Sequence, residues 1–179
     1  MKKIVKEKLR NKVSQKLYKH IMGVTETAIE LADYYNVDIE KVEVAALLHD
    51  YNKEDHLNLN MINKNDINEE LICNYEIWHG YITANKIENL FGINDIEIID
   101  AIKYHSTGKE NASDILKILF IADSIEPSRK YYGVKNLRKK EKKIDEHLIK
   151  VCEHKCKYLS EKKITINKNT KKMIESIKK

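Results

Sequence analysis

Four histidines and two aspartates, His20, His49, Asp50, His79, His105 and Asp123, fall where amphipathic helices would place apolar side chains. One histidine on such a face is usually a hydrogen-bonded core residue. A buried carboxylate is different, because unpaired it costs several kcal/mol or takes up a proton. Divalent metals remove that penalty, since neutral imidazoles and ionised carboxylates are ligands that first-row ions favour. Six such donors suffice for two ions. Two divalent cations against two carboxylates leave about two positive charges in a dry pocket, which attracts phosphate and lowers the pKa of a bridging water toward ~7. Hydrolysis of a phosphoester or phosphoanhydride is the reaction this set predicts.

The elements that must position these residues follow from apolar spacing. Val24, Ala28, Leu31 and Tyr35 predict a helix from Ser14 to Asn36, and His20 continues its face one turn earlier. Val42, Ala45, Ala46 and the Leu47-Leu48 pair predict a second, Ile39 to Asp50, with Asp38 as N-cap and His49 extending the stripe. An asparagine-rich loop with at most a short helix spans Tyr51 to Asp66. Further helices are predicted at Glu76 to Phe91, Asp95 to Tyr104 and Ala112 to Ser124, carrying His79, His105 and Asp123 inward. Gly92 ends the first of these three and Pro127 stops the last. Leu137 to Leu159 reads as one long amphipathic helix with Arg138, Lys139, Lys140, Lys142 and Lys143 solvated, and Asn167 to Lys179 as a frayed, lysine-rich tail.

A single proline, five glycines and 42% hydrophobic residues in 179 favour long helices and an all-α fold. The length predicts one domain, 1–179, with a metal-binding core at about 14–130 and the helix and basic tail in 134–179. Three cysteines without framework spacing predict reduced thiols and a cytoplasmic protein. No stretch approaches the roughly 18 apolar residues of a membrane span, and none resembles a signal peptide. The net charge of +5 comes with a general lysine, asparagine and isoleucine bias and does not by itself imply nucleic acid or membrane as a partner.

The order of motifs is more specific. His20-Ile-Met-Gly-Val24, Ala46-Leu-Leu-His-Asp-Tyr-Asn-Lys53, His79-Gly80, His105-Ser-Thr-Gly108 and Ile121-Ala-Asp-Ser-Ile-Glu-Pro-Ser-Arg129 together resemble the HD superfamily, specifically its YqeK-type symmetrical bis(5′-nucleosyl)-tetraphosphatases. The resemblance runs from about Ser14 to Leu148. It implies an all-helical HD fold with a dinuclear metal site between helices, iron in both positions, and symmetrical cleavage of diadenosine tetraphosphate into two ADP by a metal-bridged hydroxide. Carried over position by position, it assigns the metals to His20, His49, Asp50, His79, His105 and Asp123, with Asp50 as the bridge. Manganese, cobalt or zinc would suit the same donors.

The resemblance also assigns phosphate contacts to Lys53, Thr107, Gly108, Lys109 and Arg129, with Asp50 and Lys53 serving catalysis. Arg129 offers a planar fork, the two lysines point charges, and the backbone at Gly108 a close approach. Glu126 either orders Arg129 or binds the nucleoside. Lys16 and Lys19 stand where the family often has an arginine, which bears on substrate affinity but not on the metal site. The implied partner is a small dinucleoside polyphosphate, and a homodimer is compatible with the sequence. Two other classes compete: an HD phosphohydrolase acting on nucleotides, cyclic dinucleotides or guanosine tetraphosphate, and a non-catalytic nucleotide-binding regulator, which would be expected to lack ligands. Cys152 and Cys156 with His147 and His154 have loosely zinc-like spacing, but Cys152 continues an apolar stripe and packing explains it. Trp78 either lines the pocket or packs in the core.

Overall fold

The computed structural model describes residues 2–179, which form ten α-helices: α1 (Lys2–Lys12), α2 (Gln15–Tyr35), α3 (Ile39–Leu48), α4 (Glu69–Ile72), α5 (Trp78–Phe91), α6 (Ile96–Tyr104), α7 (Asp114–Ile125), α8 (Val134–Leu137), α9 (Ile144–Glu161) and α10 (Lys168–Lys178). Short 3-10 turns occupy the 59–66 region and Tyr75–Ile77, and no strand occurs among the described residues. No helix among them is long and apolar enough to cross a membrane.

Local chemistry sets the boundaries. Ser14 Oγ accepts from Leu17 N at 3.2 Å, and Asn36 closes α2 in the left-handed region at φ 55°. Asp38, Asp95 and Ser113 cap α3, α6 and α7 in the same manner. Gly92 ends α5 at φ 68°. Glu126, forced extended by Pro127, ends α7.

α2 packs against α3 and α7, α6 lies against α3, α5 and α7, and α9 covers the far side of α7. α7 is consequently the central rod, with Leu116, Ile118, Leu119, Ile121 and Ala122 fully buried. A smaller cluster of Ile62, Leu71, Ile77, Tyr81 and Ile82 tacks the 57–82 segment onto this core.

The N-terminal basic stretch, to which the sequence reading assigns no element, is helix α1, held by Val5 and Leu9, an i, i+4 pair buried in the core. Three expectations need correction. The segment Asn167 to Lys179 is not frayed: α10 buries Met173 completely and packs Ile174 and Ile177 against the core. The long helix from Leu137 is broken, because residues 138–143 turn away between α8 and α9. Arg138 is not a solvated outer residue: its guanidinium donates to the carbonyls of Ile125 and Glu126, which α7 leaves open at its end, and to that of Arg129 in the loop beyond.

Candidate metal centre

His20 projects from the second turn of α2 and His79 from the first turn of α5, while Asp123 stands in the last turn of α7. His49 and His105 cap the C-termini of α3 and α6, and Asp50 follows His49. Three helices therefore turn their carbonyl ends, the negative pole of the macrodipole, toward one small volume. That arrangement favours cations.

Asp50 is at the centre and fully buried. Its Oδ2 lies 3.4 Å from His49 Nε2 and 3.5 Å from His20 Nε2, and its Oδ1 lies 3.0 Å from His79 Nε2 and 3.5 Å from His105 Nε2. Each carboxylate oxygen thus faces its own pair of imidazoles. His20, His49 and Asp50 form one compact donor group, and Asp50, His79 and His105 form another. Asp123 belongs to neither triad but borders the first, with Oδ1 3.1 Å from His20 Nε2 and 2.7 Å from Arg129 Nη2.

The donors fit a metal. His49 Nδ1 donates to Ala46 O at 2.7 Å, His105 Nδ1 to Ile102 O at 2.8 Å, and His20 Nδ1 to Glu126 Oε1 at 3.1 Å. These outer partners fix the tautomer in which Nε2 carries a lone pair directed inward. His79 Nε2 and His105 Nε2 face each other at 3.0 Å. His20 Nε2, His49 Nε2 and Asp50 Oδ1 are buried without a hydrogen-bond partner, an arrangement that a divalent cation would satisfy.

Electrostatics agree. Burial pushes the Asp50 carboxyl up, but the imidazoles of His49, His105 and His79 around it outweigh burial and hold its pKa well below the usual carboxylate range. Asp123 is held down in the same way, burial being outweighed by the neighbouring His20, His49 and Arg129. Burial pushes His79 down despite Asp50, whereas at His20 the nearby Asp123 and Asp50 overcome burial and raise it, the same preference for positive charge that a cation at Nε2 would meet.

Three cavities open around this cluster. The first, ≈ 360 Å³, is lined by Lys16, His20, Lys53, Ser128 and Arg129. The second, ≈ 590 Å³, is lined by Lys53, His79, Ser106, Thr107, Lys155 and Thr170 among others. The third, ≈ 330 Å³, lies between α7 and α9 and includes Asp123 and Arg129 in its wall. Lys53 and Arg129 therefore stand at the rim, with Lys53 Nζ 2.7 Å from Asp50 Oδ2.

The other substrate candidates are placed differently. Thr107 is buried beside the second cavity, its hydroxyl donating to Gly108 O and its carbonyl accepting from Thr170 Oγ1. Gly108 adopts φ 70° and lies under Met173, whose sulfur would overlap any Cβ there. Lys109 is not brought to the cluster: it pairs with Asp100 at 2.5 Å and lines none of the three cavities. Glu126 is buried, and its carboxylate is taken by His20 Nδ1 and by the amide and hydroxyl of Ser128, so it orients His20. Trp78 donates its indole N–H to Leu71 O and packs on Tyr75, which lines the second cavity, but Trp78 itself lines none of the three.

One residue of the site escaped the sequence reading. Lys155 borders both the second and third cavities and donates to Ser106 O at 3.0 Å. Its signal was its spacing, three and four residues after Cys152 and Val151 on the buried stripe of α9.

Comparison with known proteins agrees with this geometry. The HD domain family model matches residues 17–173. A curated relative from Staphylococcus aureus, named symmetrical bis(5′-nucleosyl)-tetraphosphatase, is 37% identical over 175 residues, covering 94% of this chain and 88% of its own. A Bacillus subtilis protein of the same name is 34% identical over 134 residues, 73% of this chain and 72% of its own. A crystal structure from Clostridium acetobutylicum, described as a predicted HD superfamily hydrolase involved in NAD metabolism, superposes with a TM-score of 0.89 at 32% identity, covering 99% of this chain and 96% of that one. The motif order, the helical architecture and these relatives converge: this chain belongs to the HD-domain family, among relatives named as its symmetrical bis(5′-nucleosyl)-tetraphosphatases.

Proposed function

We propose that this protein hydrolyses a symmetrical dinucleoside tetraphosphate, diadenosine tetraphosphate, into two ADP, using two divalent metals of which iron is the first choice. The observation that carries the reading is Asp50, whose two oxygens face separate histidine pairs. A bridging carboxylate between two cations requires that arrangement. His20, His49 and Asp50 would hold one ion and Asp50, His79 and His105 the other, with Asp123 completing the first group.

Cations bound there supply Lewis acidity toward phosphoryl oxygens and lower the pKa of a coordinated water into the neutral range. The chain's own residues do the rest. Arg129, pointed by Asp123, and Lys53, held at Asp50, bind the non-bridging oxygens of the two central phosphates. Water adds to one central phosphorus and gives up its protons to solvent, the P–O bond to the central bridging oxygen breaks, and both halves leave as ADP. Glu126 keeps His20 in register throughout. Free Cys73, Cys152 and Cys156 fit a reducing compartment, and we place the enzyme in the cytoplasm as a single domain.

The test is incubation of the metal-loaded protein with diadenosine tetraphosphate and chromatography of the products. ADP alone is expected. AMP with ATP, or turnover restricted to mononucleotides, cyclic dinucleotides or guanosine tetraphosphate, would contradict the reading.

A further inference from the structure

The three cavities around the metal centre share their borders in a specific way. Lys53 separates the first from the second, Arg129 the first from the third, and Lys155 the second from the third. A cation thus stands at every seam. A polyphosphate chain crossing from one cavity to another would pass one of these three charges, and Lys155 is the one no motif assigns.

Lys155 is also incompletely used by the protein. Its ammonium carries three N–H donors, yet among the described residues its hydrogen bonding is to Ser106 O, with the Phe120 ring 4.5 Å away. No carboxylate among them pairs with it. Burial pushes its pKa down, the field of Asp123 opposing that shift. An anionic ligand would give this ammonium the partner the protein withholds.

The third cavity has the chemistry of a base-binding pocket. Tyr131 and His154 lie with ring centres 5.2 Å apart at 34°, and both are locked: the Tyr131 hydroxyl donates to Ser124 O at 2.6 Å and His154 Nε2 to Tyr132 O at 2.8 Å. Tyr158, half exposed and free of side-chain hydrogen bonds among the described residues, adds a third ring at the mouth. Fixed rings beside a phosphate-binding cation stack on bases without ordering cost.

Substrate symmetry supplies the rest, and here the inference rests on the function proposed above. A dinucleoside tetraphosphate cut at its middle must hold its central phosphates at the metals and send its two nucleosides to different sides. His79 opens into the second cavity and Asp123 into the third. We propose that the cavity between α7 and α9 seats one purine nucleoside of the substrate, stacked on Tyr158 and the Tyr131–His154 platform, with Lys155 binding the adjoining phosphate.

The experiment is calorimetric titration of ADP, the product half, into metal-loaded wild type, Tyr158→Ala and Lys155→Met, each checked for unchanged helicity. Wild type is expected to bind two ADP per chain. Tyr158→Ala and Lys155→Met should each weaken one of the two sites about tenfold or more and raise the KM for diadenosine tetraphosphate. Two ADP sites of wild-type affinity in Tyr158→Ala, or a single site in the wild type, would overturn the proposal even if diadenosine tetraphosphate is cleaved. Absence of that cleavage in the wild type would instead count against the proposed function.

Discussion

Glu126 Oε1 accepts the Nδ1 hydrogen of His20 at 3.1 Å across 106 residues of chain, and so directs the other ring nitrogen at Asp50 and Asp123. Ser128 holds the same carboxylate through its amide and hydroxyl. Outer partners of this type tune metal affinity by about 10- to 100-fold. Glu126→Ala should lower affinity for the ion at His20 by that factor while leaving the His79 and His105 side loaded, and Glu126→Gln should lose less. A metal-binding isotherm showing unchanged affinity for both ions in Glu126→Ala would contradict this role.

Lys53 reaches Asp50 from a side chain that is 44% exposed, so its loss leaves no buried cavity. Lys53→Ala is expected to keep its metals and its melting temperature but to raise KM by about tenfold, one charge-assisted contact being worth ~1.5–3 kcal/mol. Steady-state kinetics beside elemental analysis checks both halves of the statement.

The C-terminal helix supports the site from outside. Met173 is fully buried against Gly108, and Thr170 Oγ1 donates to Thr107 O at 2.6 Å. Met173→Ala should destabilise the protein by ~2–5 kcal/mol. Gly108→Ala should also lower stability, because φ is 70° there and Met173 occupies the space. Thermal melts of the two variants test this, and an unchanged melt for Met173→Ala would return 168–178 to the status of a loose tail.

His147 gives a pH-dependent contribution remote from the metals. It is buried, its Nε2 donates to Leu137 O at 2.7 Å, and its Nδ1 accepts from the Tyr35 hydroxyl at 2.9 Å. Burial pushes its pKa below the ordinary value of 6.5. The unfolded chain then binds the proton first, so this contribution is present above about pH 6.5 and is lost as pH falls from there through the lowered native value. Between pH 7 and 5.5 the melting temperature of the wild type should fall more steeply than that of His147→Asn. Parallel slopes would refute the assignment.

The legibility of this molecule in its sequence divides along sequence separation. Caps are local, and Ser14, Asp38 and Asp95 act where their spacing placed them. Inward histidines are visible because a polar residue on an apolar stripe stands out. The α10 stripe of Met173, Ile174 and Ile177 was hidden by lysines around it, though its spacing of three and four was present. Glu126 does pair with Arg129 at 3.5 Å, one of its two readings, but its bond to His20 is long-range and carries no sequence signature, and Arg138 was misread because its partners are backbone carbonyls. Lys109, a phosphate contact by resemblance, pairs with Asp100, nine residues earlier, an ion pair that the motif around it does not signal.

The sharing of Asp50 between two cations is tested most directly by metal stoichiometry after anaerobic loading with ferrous iron. Two ions per chain in the wild type and close to none in Asp50→Ala is the expected pair of values. Equal occupancy in the two proteins would show that Asp50 does not join the triads, and the account would fail with it.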